Sequence, residues 1–394
     1  MKRLFGLMGM LMVAVVLTAT SYAADEGGKY AGEFLNIGVG GRALAMGGAY
    51  VGLANDGTAM YWNPAGMGGV FYKEVSIMAA PASLEAAGSG SLGTAQLGAN
   101  YYYGGLVWSL GQTKVGFGMV QLSIGDIIDT RGLDYDDANS NTQWDPGERV
   151  YYGQYKDGSS IADNTGSDTE TAYFVSLAQN FGPSLTVGVN AKQISMNVLE
   201  YKASGMGFDV GVMYRMNPGN PLTGQSASGL SIGAVVRNVT NTAINWTTDT
   251  TSPFYTTEGQ FQTVLDEDLD DATIPLSVAG GAAFTLAGTQ AFSLTLAGSM
   301  RMAEDGMDLG FGTEIMIANM LALRAGLTQL AGPKISGTEE TLSTMSLSAG
   351  MGIRIANMAQ VDYALTGLGS TLGLGDSFSN SLGAAHRISM SVRF

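Results

Sequence analysis

Apolar and small polar residues alternate at every second position along most of this chain. Near the end, Ile388, Met390 and Val392 alternate with Ser389 and Ser391. Alternate side chains of a β-strand lie on opposite faces, so the pattern predicts strands with one apolar and one polar face. About 14 such segments can be counted, and many reach the roughly ten residues that cross a bilayer as a strand. They are 73–81, 94–109, 114–124, 169–181, 183–195, 203–215, 228–238, 272–286, 289–301, 306–318, 320–330, 342–356, 357–366 and 382–394.

The length, number and connections of these segments predict an all-β fold, a transmembrane antiparallel β-barrel of about 14 strands. Strands of soluble proteins are usually about 5–6 residues long, and single-chain outer-membrane barrels have an even number of strands. Short connections at 181–183, 287–289 and 302–306 occur beside long ones at 125–168 and 239–271. This is typical of short periplasmic turns and long external loops. A secreted soluble β-protein is the alternative.

Aromatic residues stand at the ends of several segments. Tyr101, Tyr102, Tyr103 and Trp108 are examples, and we expect them in the interfacial girdles of a membrane barrel. Phe394 ends the last alternating segment. A terminal aromatic on such a strand is a familiar assembly signal, so the barrel-assembly machinery is an expected partner.

Residues 1–23 are predicted to be a secretory signal peptide. Two basic residues precede an apolar run from Leu4 to Val16, and Ser21 and Ala23 occupy the small-residue positions of a cleavage site. The run is shorter than the roughly 20 apolar residues of a membrane-spanning helix. We therefore expect an exported protein that lies in the lipid of a bacterial outer membrane.

Composition and charge exclude several classes of function. The formal net charge is −15, and an acidic surface repels phosphate backbones, which argues against nucleic-acid binding. The chain has no cysteine, hence no disulfide and no thiolate nucleophile or ligand. His386 and Ser389 are three residues apart on a strand, so they face opposite sides and cannot form a nucleophile and base pair. No enzymatic activity is expected.

The segment before the first strand is predicted to form a plug. Side chains can fill the interior of a barrel of eight strands, whereas barrels of 16 to 18 strands leave a water channel. A barrel of about 14 strands is intermediate in size. Residues 24–70 lack the long alternation and are rich in Gly and Ala, which allows close backbone packing. We therefore divide the chain into a plug or hatch at 24–70 and a barrel at 71–394. The Gly38–Ala43 run fits a relaxed dinucleotide fingerprint, but no strand and helix units follow it, so close packing explains it better.

Four motifs in this segment resemble the PorV/PorQ family of the FadL-like outer-membrane superfamily. They are Gly40–Ala43, Met46–Ala49, Ala54–Asp56 and Tyr61–Met67, some 30 residues in all. The resemblance implies a 14-stranded barrel closed by an N-terminal hatch that carries an Asn-Pro-Ala element. The corresponding plug-motif residues here are Gly40, Gly41, Arg42, Gly47, Gly48, Asn63, Pro64 and Ala65.

The same resemblance implies a function in transport. The Arg-Ala and Tyr-Trp-Asn-Pro-Ala motifs resemble the PorV branch more closely. Members of that branch take cargo proteins from the type IX secretion translocon, so secreted cargo proteins are the first expected partners. The alternative is a FadL-like channel for the uptake of hydrophobic small molecules such as long-chain fatty acids. A structural or adhesive surface protein that uses the 125–168 connection is a third hypothesis.

One acidic loop has the spacing of a calcium site. Residues 137–148 place oxygen side chains at positions 1, 3, 5, 9 and 12 of a twelve-residue calcium loop, with a backbone carbonyl at position 7. Thr142 stands where such a loop has glycine, and a solvated acidic loop is the alternative. No other cofactor is expected. The candidate calcium ligands are Asp137, Asn139, Asn141, Gln143, Asp145 and Glu148.

Overall fold

The computed structural model contains an N-terminal segment of short helical turns followed by long antiparallel strands. The described residues are 31–80, 99–128, 165–199, 201–216, 229–248, 272–289, 292–304, 306–334, 341–356, 358–368 and 385–394. The long strands are β1 (Glu74–Ala80), β2 (Ala99–Leu110), β3 (Thr113–Ile128), β4 (Thr165–Phe181), β5 (Leu185–Val198), β6 (Tyr201–Arg215), β7 (Gly229–Arg237), β11 (Ser277–Thr289), β12 (Phe292–Ala303), β13 (Gly306–Ile317), β14 (Leu321–Lys334), β15 (Thr341–Ile355), β16 (Ala359–Thr366) and β17 (Ala385–Arg393). Three short strands lie between β7 and β11: β8 (Thr242–Ala243), β9 (Asn245–Thr248) and β10 (Thr273–Ile274).

The long strands form one closed barrel. Each pairs antiparallel with the next long strand along the chain, and β17 pairs with β1 to close the ring. In the closing pair, Glu74 lies opposite Arg393 and Ala79 opposite Ile388. The predicted antiparallel barrel of about 14 strands is therefore confirmed, and every predicted segment corresponds to one long strand.

The two faces of the wall have the polarity of a barrel surrounded by lipid. On β1, Glu74, Ser76 and Met78 are buried in the lumen, whereas the outward Val75 and Ile77 are 37% and 48% exposed. Exposing large apolar side chains to water is unfavourable, so an outer face of this kind suits the apolar interior of a bilayer. Further examples are Phe117, Val175, Val189, Phe208, Leu296, Phe311, Leu323, Ile353 and Ile388. Among the described helices, none is long and apolar enough to cross a membrane.

The barrel has two distinct ends. At one, which we call the short-turn end, most strands are joined through short turns such as 111–112, 182–184 and 318–320, and β6 and β7 by the longer connection 216–228. The connections 81–98, 129–164, 238–276 and 367–384 all leave from the other, the long-loop end. The short connection between β12 and β13, predicted at 302–306, also lies at the long-loop end.

Residues 31–73, here called the inner segment, lie in the lumen. Their contacts reach inward-facing residues on strands around the whole ring, from β1 to β17. Glycines end the first α-helix at residues 47 and 48, where φ is positive, and Pro64 begins the last turn. The elements are a 3-10 turn (Glu33–Asn36), α1 (Gly41–Ala45), α2 (Ala59–Trp62) and a second 3-10 turn (Pro64–Gly69).

Candidate functional site in the barrel lumen

Glycines on the inner wall allow the inner segment to approach the strands at backbone distance. A Cβ atom at Gly188 would lie 2.3 Å from the backbone N of Ala65, and one at Gly233 would lie 2.4 Å from the carbonyl of Val51. No larger residue fits at these positions, because real Cβ contacts are longer. Other wall glycines with such backbone contacts are Gly281, Gly310, Gly312 and Gly326, whereas a Cβ at Gly211 or Gly350 would meet the side chain of Asn63 or Ala45. The high glycine content therefore serves the packing of the inner segment against the wall.

The tightest of these approaches joins Gly47 and Gly326. Gly47 has φ +63, a conformation that residues with a Cβ rarely adopt, and a Cβ on Gly326 would lie 2.1 Å from the Gly47 backbone N. Thr328 Oγ1 donates to the Gly47 carbonyl at 3.0 Å, and Ser299 Oγ donates to the Gly48 carbonyl at 3.0 Å. Both predicted glycines thus lie against the wall.

A buried charge network joins Arg42 to the barrel. Its guanidinium makes two hydrogen bonds of 2.8 Å to the Glu314 carboxylate, on β13. Arg324 also donates to Glu314, at 2.7 Å, and to Asp362 at 2.8 Å. The side chains of Arg324 and Glu314 are 0% and 5% exposed. Two arginines and two carboxylates therefore compensate one another between the inner segment and three strands.

Arg42 also organises the inner segment itself. Nη1 donates to Asn55 Oδ1 at 2.8 Å and to the Tyr50 hydroxyl at 3.1 Å. Burial raises the pKa of Tyr50 well above its usual value, so the phenol stays protonated and donates to Asp56. Asp56 in turn accepts from the backbone N of Thr58 at 2.9 Å. The turn that precedes α2 is thereby fixed.

The Asn-Pro-Ala element lies where the inner segment meets β5 and β6. Asn63 Oδ1 accepts from the backbone N of Ala65 at 3.1 Å and caps the second 3-10 turn. Its Nδ2 donates to the carbonyls of Val51 and Val212, both at 3.2 Å. Pro64 begins the turn, at a position where the backbone N–H would make no hydrogen bond within the turn, so the proline costs nothing there. One side chain thus joins two parts of the inner segment to the wall.

Gly40 and Gly41 complete the predicted motif. Gly41 N donates to Ser389 Oγ at 2.9 Å on β17, and a Cβ on Gly41 would lie 3.0 Å from the Asp362 carbonyl. Gly40 N contacts the Met78 sulfur at 3.0 Å. The structure therefore brings all eight predicted motif residues into the lumen, although the sequence could not identify their wall partners.

The lumen is apolar toward the long-loop end on one side. There, inward-facing residues of β1 to β6 pack against Phe34, Leu35 and Ile37 of the inner segment. Barrel interiors are generally polar, so this surface is unusual. We call it the apolar lining: Met78, Ala80, Tyr101, Tyr103, Val120, Ala172, Phe174, Ile194, Met196 and Ala203.

The girdle prediction is wrong for two of the tyrosines. Tyr101 and Tyr103 are buried in the lumen, where their hydroxyls donate to the carbonyls of Phe34 and Gly57. Alternate residues of a strand face opposite sides, so only the middle tyrosine of the run can face outward. Tyr102 and Trp108 do so, at 39% and 40% exposure. Tyr101, Tyr103 and the buried Val107 occupy alternate positions on one face of β2. This alternation is the sequence signal that would have identified the inward-facing tyrosines.

At the short-turn end the lumen opens into a cavity of about 590 Å³, lined by both polar and apolar residues. Its walls come from the inner segment, from the turns 111–112 and 182–183, and from the strand ends beside them. The charged lining residues are Arg42, Glu74, Arg215, Glu314, Arg354 and Arg393. We call this cavity the vestibule.

The remaining predicted positions lie at the edges of the structure or outside it. Phe394 is 62% exposed and exchanges two backbone hydrogen bonds with Lys73, but its role in assembly stays a prediction. His386 faces outward and contacts Tyr363 at 2.7 Å, whereas Ser389 faces the lumen. The signal peptide at 1–23 and the calcium loop at 137–148 lie outside the described residues. Within the described ranges, no cluster of three metal-binding side chains occurs.

Comparison with solved structures finds several chains to which this protein is similar. The CymD monoaromatic hydrocarbon channel is 12% identical and has a TM-score of 0.51, over 91% of this chain and 98% of that one. The Ralstonia pickettii toluene transporter TbuX is 14% identical, with a TM-score of 0.49 and the same coverage. A Pseudomonas aeruginosa FadL homologue is 13% identical, with a TM-score of 0.48 over 90% and 97% of the two chains. No family model and no curated protein matches the sequence. The likeness to CymD shows a shared fold.

Proposed function

We propose that this protein is a non-enzymatic conduit for small hydrophobic molecules in a bacterial outer membrane. The location is supported by the apolar outer face and the long strands, which suit a barrel surrounded by lipid. The N-terminal motifs and the fold shared with CymD, a monoaromatic hydrocarbon channel, support membership of the FadL-like superfamily. The observation that carries the functional proposal is the apolar lining of the lumen.

The apolar lining offers a hydrophobic solute what a polar channel does not. Phe174, Ile194 and Met196 are at most 5% exposed, since Phe34 and its neighbours cover them. Each Å² of apolar surface removed from water contributes about 25 cal/mol, so a solute that replaced these neighbours would regain most of the lost contact energy. A polar solute would have no such compensation.

Residues 31–39 therefore act as an occupant that the solute displaces. Phe34, Leu35 and Ile37 fill the space beside the apolar lining, and their departure opens it from the long-loop end. Residues 40–70 stay bound to the wall and separate this space from the vestibule. Passage then depends on rearrangement within the inner segment, which serves as the plug.

The absence of cysteine allows a site-specific test. We would introduce Ile194→Cys in the apolar lining and, as the matched control, Val189→Cys on the outer face of the same strand. The rate of labelling by N-phenylmaleimide is measured with toluene and with oleate. We expect either solute to slow labelling at Ile194→Cys relative to Val189→Cys. Adding Phe34→Ala should speed labelling in the absence of solute, because the ring that covers this position is gone.

The ratio of the labelling rates at Ile194→Cys and Val189→Cys is the quantity compared. It cancels the effect of solute that partitions into detergent, because both variants are measured in the same detergent. If both solutes leave the ratio unchanged, including in the Phe34→Ala background, the lining takes no hydrophobic ligand and the proposal fails. Loss of heat-modifiable migration on a gel identifies variants that have not folded.

The described residues provide no specific support for a function in protein secretion. The PorV-like prediction comes from the Arg42-Ala43 and Tyr61–Ala65 motifs, and these residues pack inside the barrel. Docking of secreted cargo therefore stays a prediction from the sequence, as does calcium binding at 137–148.

A further inference from the structure

The vestibule differs in charge from the rest of the molecule. The chain has a net charge of −15, yet the vestibule is lined by four arginines and two glutamates. Excess positive charge in a concave, partly desolvated site attracts anions, because low-dielectric walls focus the field.

Pairing within the vestibule accounts for two of these arginines. Arg42 shares Glu314 within the compensated network described above, and Arg393 Nε donates to Glu74 Oε2 at 2.7 Å. Of the described carboxylates, none lies within 4.0 Å of Arg215 or Arg354. The vestibule therefore carries two arginine charges without a direct counter-ion.

Neutral amides hold Arg354 at the edge of the cavity. Nη1 donates to Asn319 Oδ1 at 3.0 Å, and Nε and Nη2 contact Gln360 Oε1 at 3.4 and 3.3 Å. Gln360 is itself bound to Asp362, whose charge is already shared with Arg324. A guanidinium has five N–H donors, so two donors of Arg354 have no partner among these contacts.

Arg215 is a second cation fixed on the wall of the same cavity. Its Nη2 donates to the carbonyls of Ala54 and Gly66, at 3.1 and 3.0 Å. Nη1 lies 3.5 Å from Thr186 Oγ1. These contacts orient the guanidinium without neutralising it, since the acceptors are dipoles and not carboxylates.

We propose that the vestibule is an oxyanion-binding site, in which Arg354 donates to the ligand and Arg215 supplies a fixed second charge. The ligand class is a small molecule with a carboxylate or phosphate group, which matches the planar donor fork of arginine. The anion is either free in solution or the acidic head of a molecule with an apolar body. The inference does not depend on the apolar lining, because residues 40–70 lie between the two sites and separate them.

Arginine modification provides the test on the purified, folded full-length chain. Phenylglyoxal reacts with accessible guanidinium groups, and peptide mass spectrometry reports the rate at Arg354. Benzoate, its neutral analogue benzamide, and inorganic phosphate are added in turn. At its Kd, a ligand that covers Arg354 should lower this rate to about half. Arg301, which pairs with Asp308 on the neighbouring strand near the long-loop end, is the internal control.

We expect benzoate to protect Arg354 while benzamide does not and Arg301 is unaffected. Protection by phosphate as well identifies a site for free oxyanions, and protection by benzoate alone identifies the acidic head of an apolar molecule. Calorimetry should show benzoate binding lost in Arg354→Gln and weakened but not lost in Arg354→Lys, which keeps the charge without the planar donor fork, with both variants heat-modifiable on gels. Equal modification rates in buffer, benzoate and phosphate would overturn the proposal.

Discussion

Residues 31–39 and residues 40–70 lie in the same lumen, but the wall holds them by different means. The second part is bound through its backbone: Asn190 donates to the Met60 carbonyl at 2.7 Å and Arg237 to the Trp62 carbonyl at 2.8 Å. The first part contributes Phe34, Leu35 and Ile37 to an apolar cluster, as described above. Its backbone makes fewer hydrogen bonds outside the inner segment: the Tyr101 hydroxyl donates to the Phe34 carbonyl at 3.0 Å, and Ala31 N donates to the Thr273 carbonyl at 3.3 Å. Hydrogen bonds fix one geometry, whereas apolar contact is non-directional.

The difference separates a scaffold from an occupant. A ligand cannot easily reproduce a set of hydrogen bonds and glycine contacts that were built for one backbone. It can reproduce apolar contact, provided that it has enough apolar surface. We therefore expect changes in residues 40–70 to affect the whole barrel and changes in residues 31–39 to act locally.

The largest effect is expected at Glu314. Glu314→Gln removes the carboxylate between Arg42 and Arg324 and leaves a buried arginine charge with less compensation. Breaking one partner of a buried pair costs about 3–5 kcal/mol of unfolding free energy. Urea unfolding in vesicles measures this change. Glu304→Gln, at an exposed position near the long-loop end, is the control and should stay within about 0.5 kcal/mol. Equal stability of the two variants would show that the network does not anchor the inner segment.

An intermediate effect is expected at Gly326. Gly326→Ala places a Cβ against the Gly47 backbone N, at 2.1 Å before relaxation. Overpacking of this kind costs about 1–3 kcal/mol, and backbone atoms cannot rotate away as a side chain can. Gly104→Ala is the matched control, since a Cβ there meets nothing within 4 Å. The folded fraction, from heat-modifiable migration, should fall for Gly326→Ala and not for Gly104→Ala; the reverse order would refute the close approach.

The strands were predictable because their signal is local. The prediction at 306–318 corresponds to Gly306–Ile317, and that at 203–215 corresponds to Tyr201–Arg215. An outer face that meets lipid requires only apolar side chains at every second position, without a specific partner. The alternation therefore contains the information for the whole barrel.

The site was predictable only on the side of the inner segment. Arg42 and Asn63 were identified from motifs, but their partners Glu314 and Val212 lie 272 and 149 residues further along the chain. Nothing in the period of β13 distinguishes Glu314 from other inward polar residues. The vestibule brings together separate strand ends, so its charge balance depends on closure of the ring, which no single sequence stretch encodes.

The smallest effect on global stability is expected at Leu35. Leu35→Ala weakens the packing of residues 31–39, which can open without unfolding of the barrel, because stability is not uniform across a structure. Global unfolding should change by less than about 0.5 kcal/mol, while hydrogen exchange measured by mass spectrometry becomes faster in 31–39 and not in 40–70.

Met46→Ala is the comparison for Leu35→Ala, because Met46 is fully buried within the scaffold. It should lower global stability by about 2–5 kcal/mol. If Leu35→Ala instead lowers global stability as much as Met46→Ala and speeds exchange throughout the inner segment, residues 31–39 and 40–70 form one cooperative unit. A solute could then not displace the first part alone, and access to the apolar lining would require the whole inner segment to move.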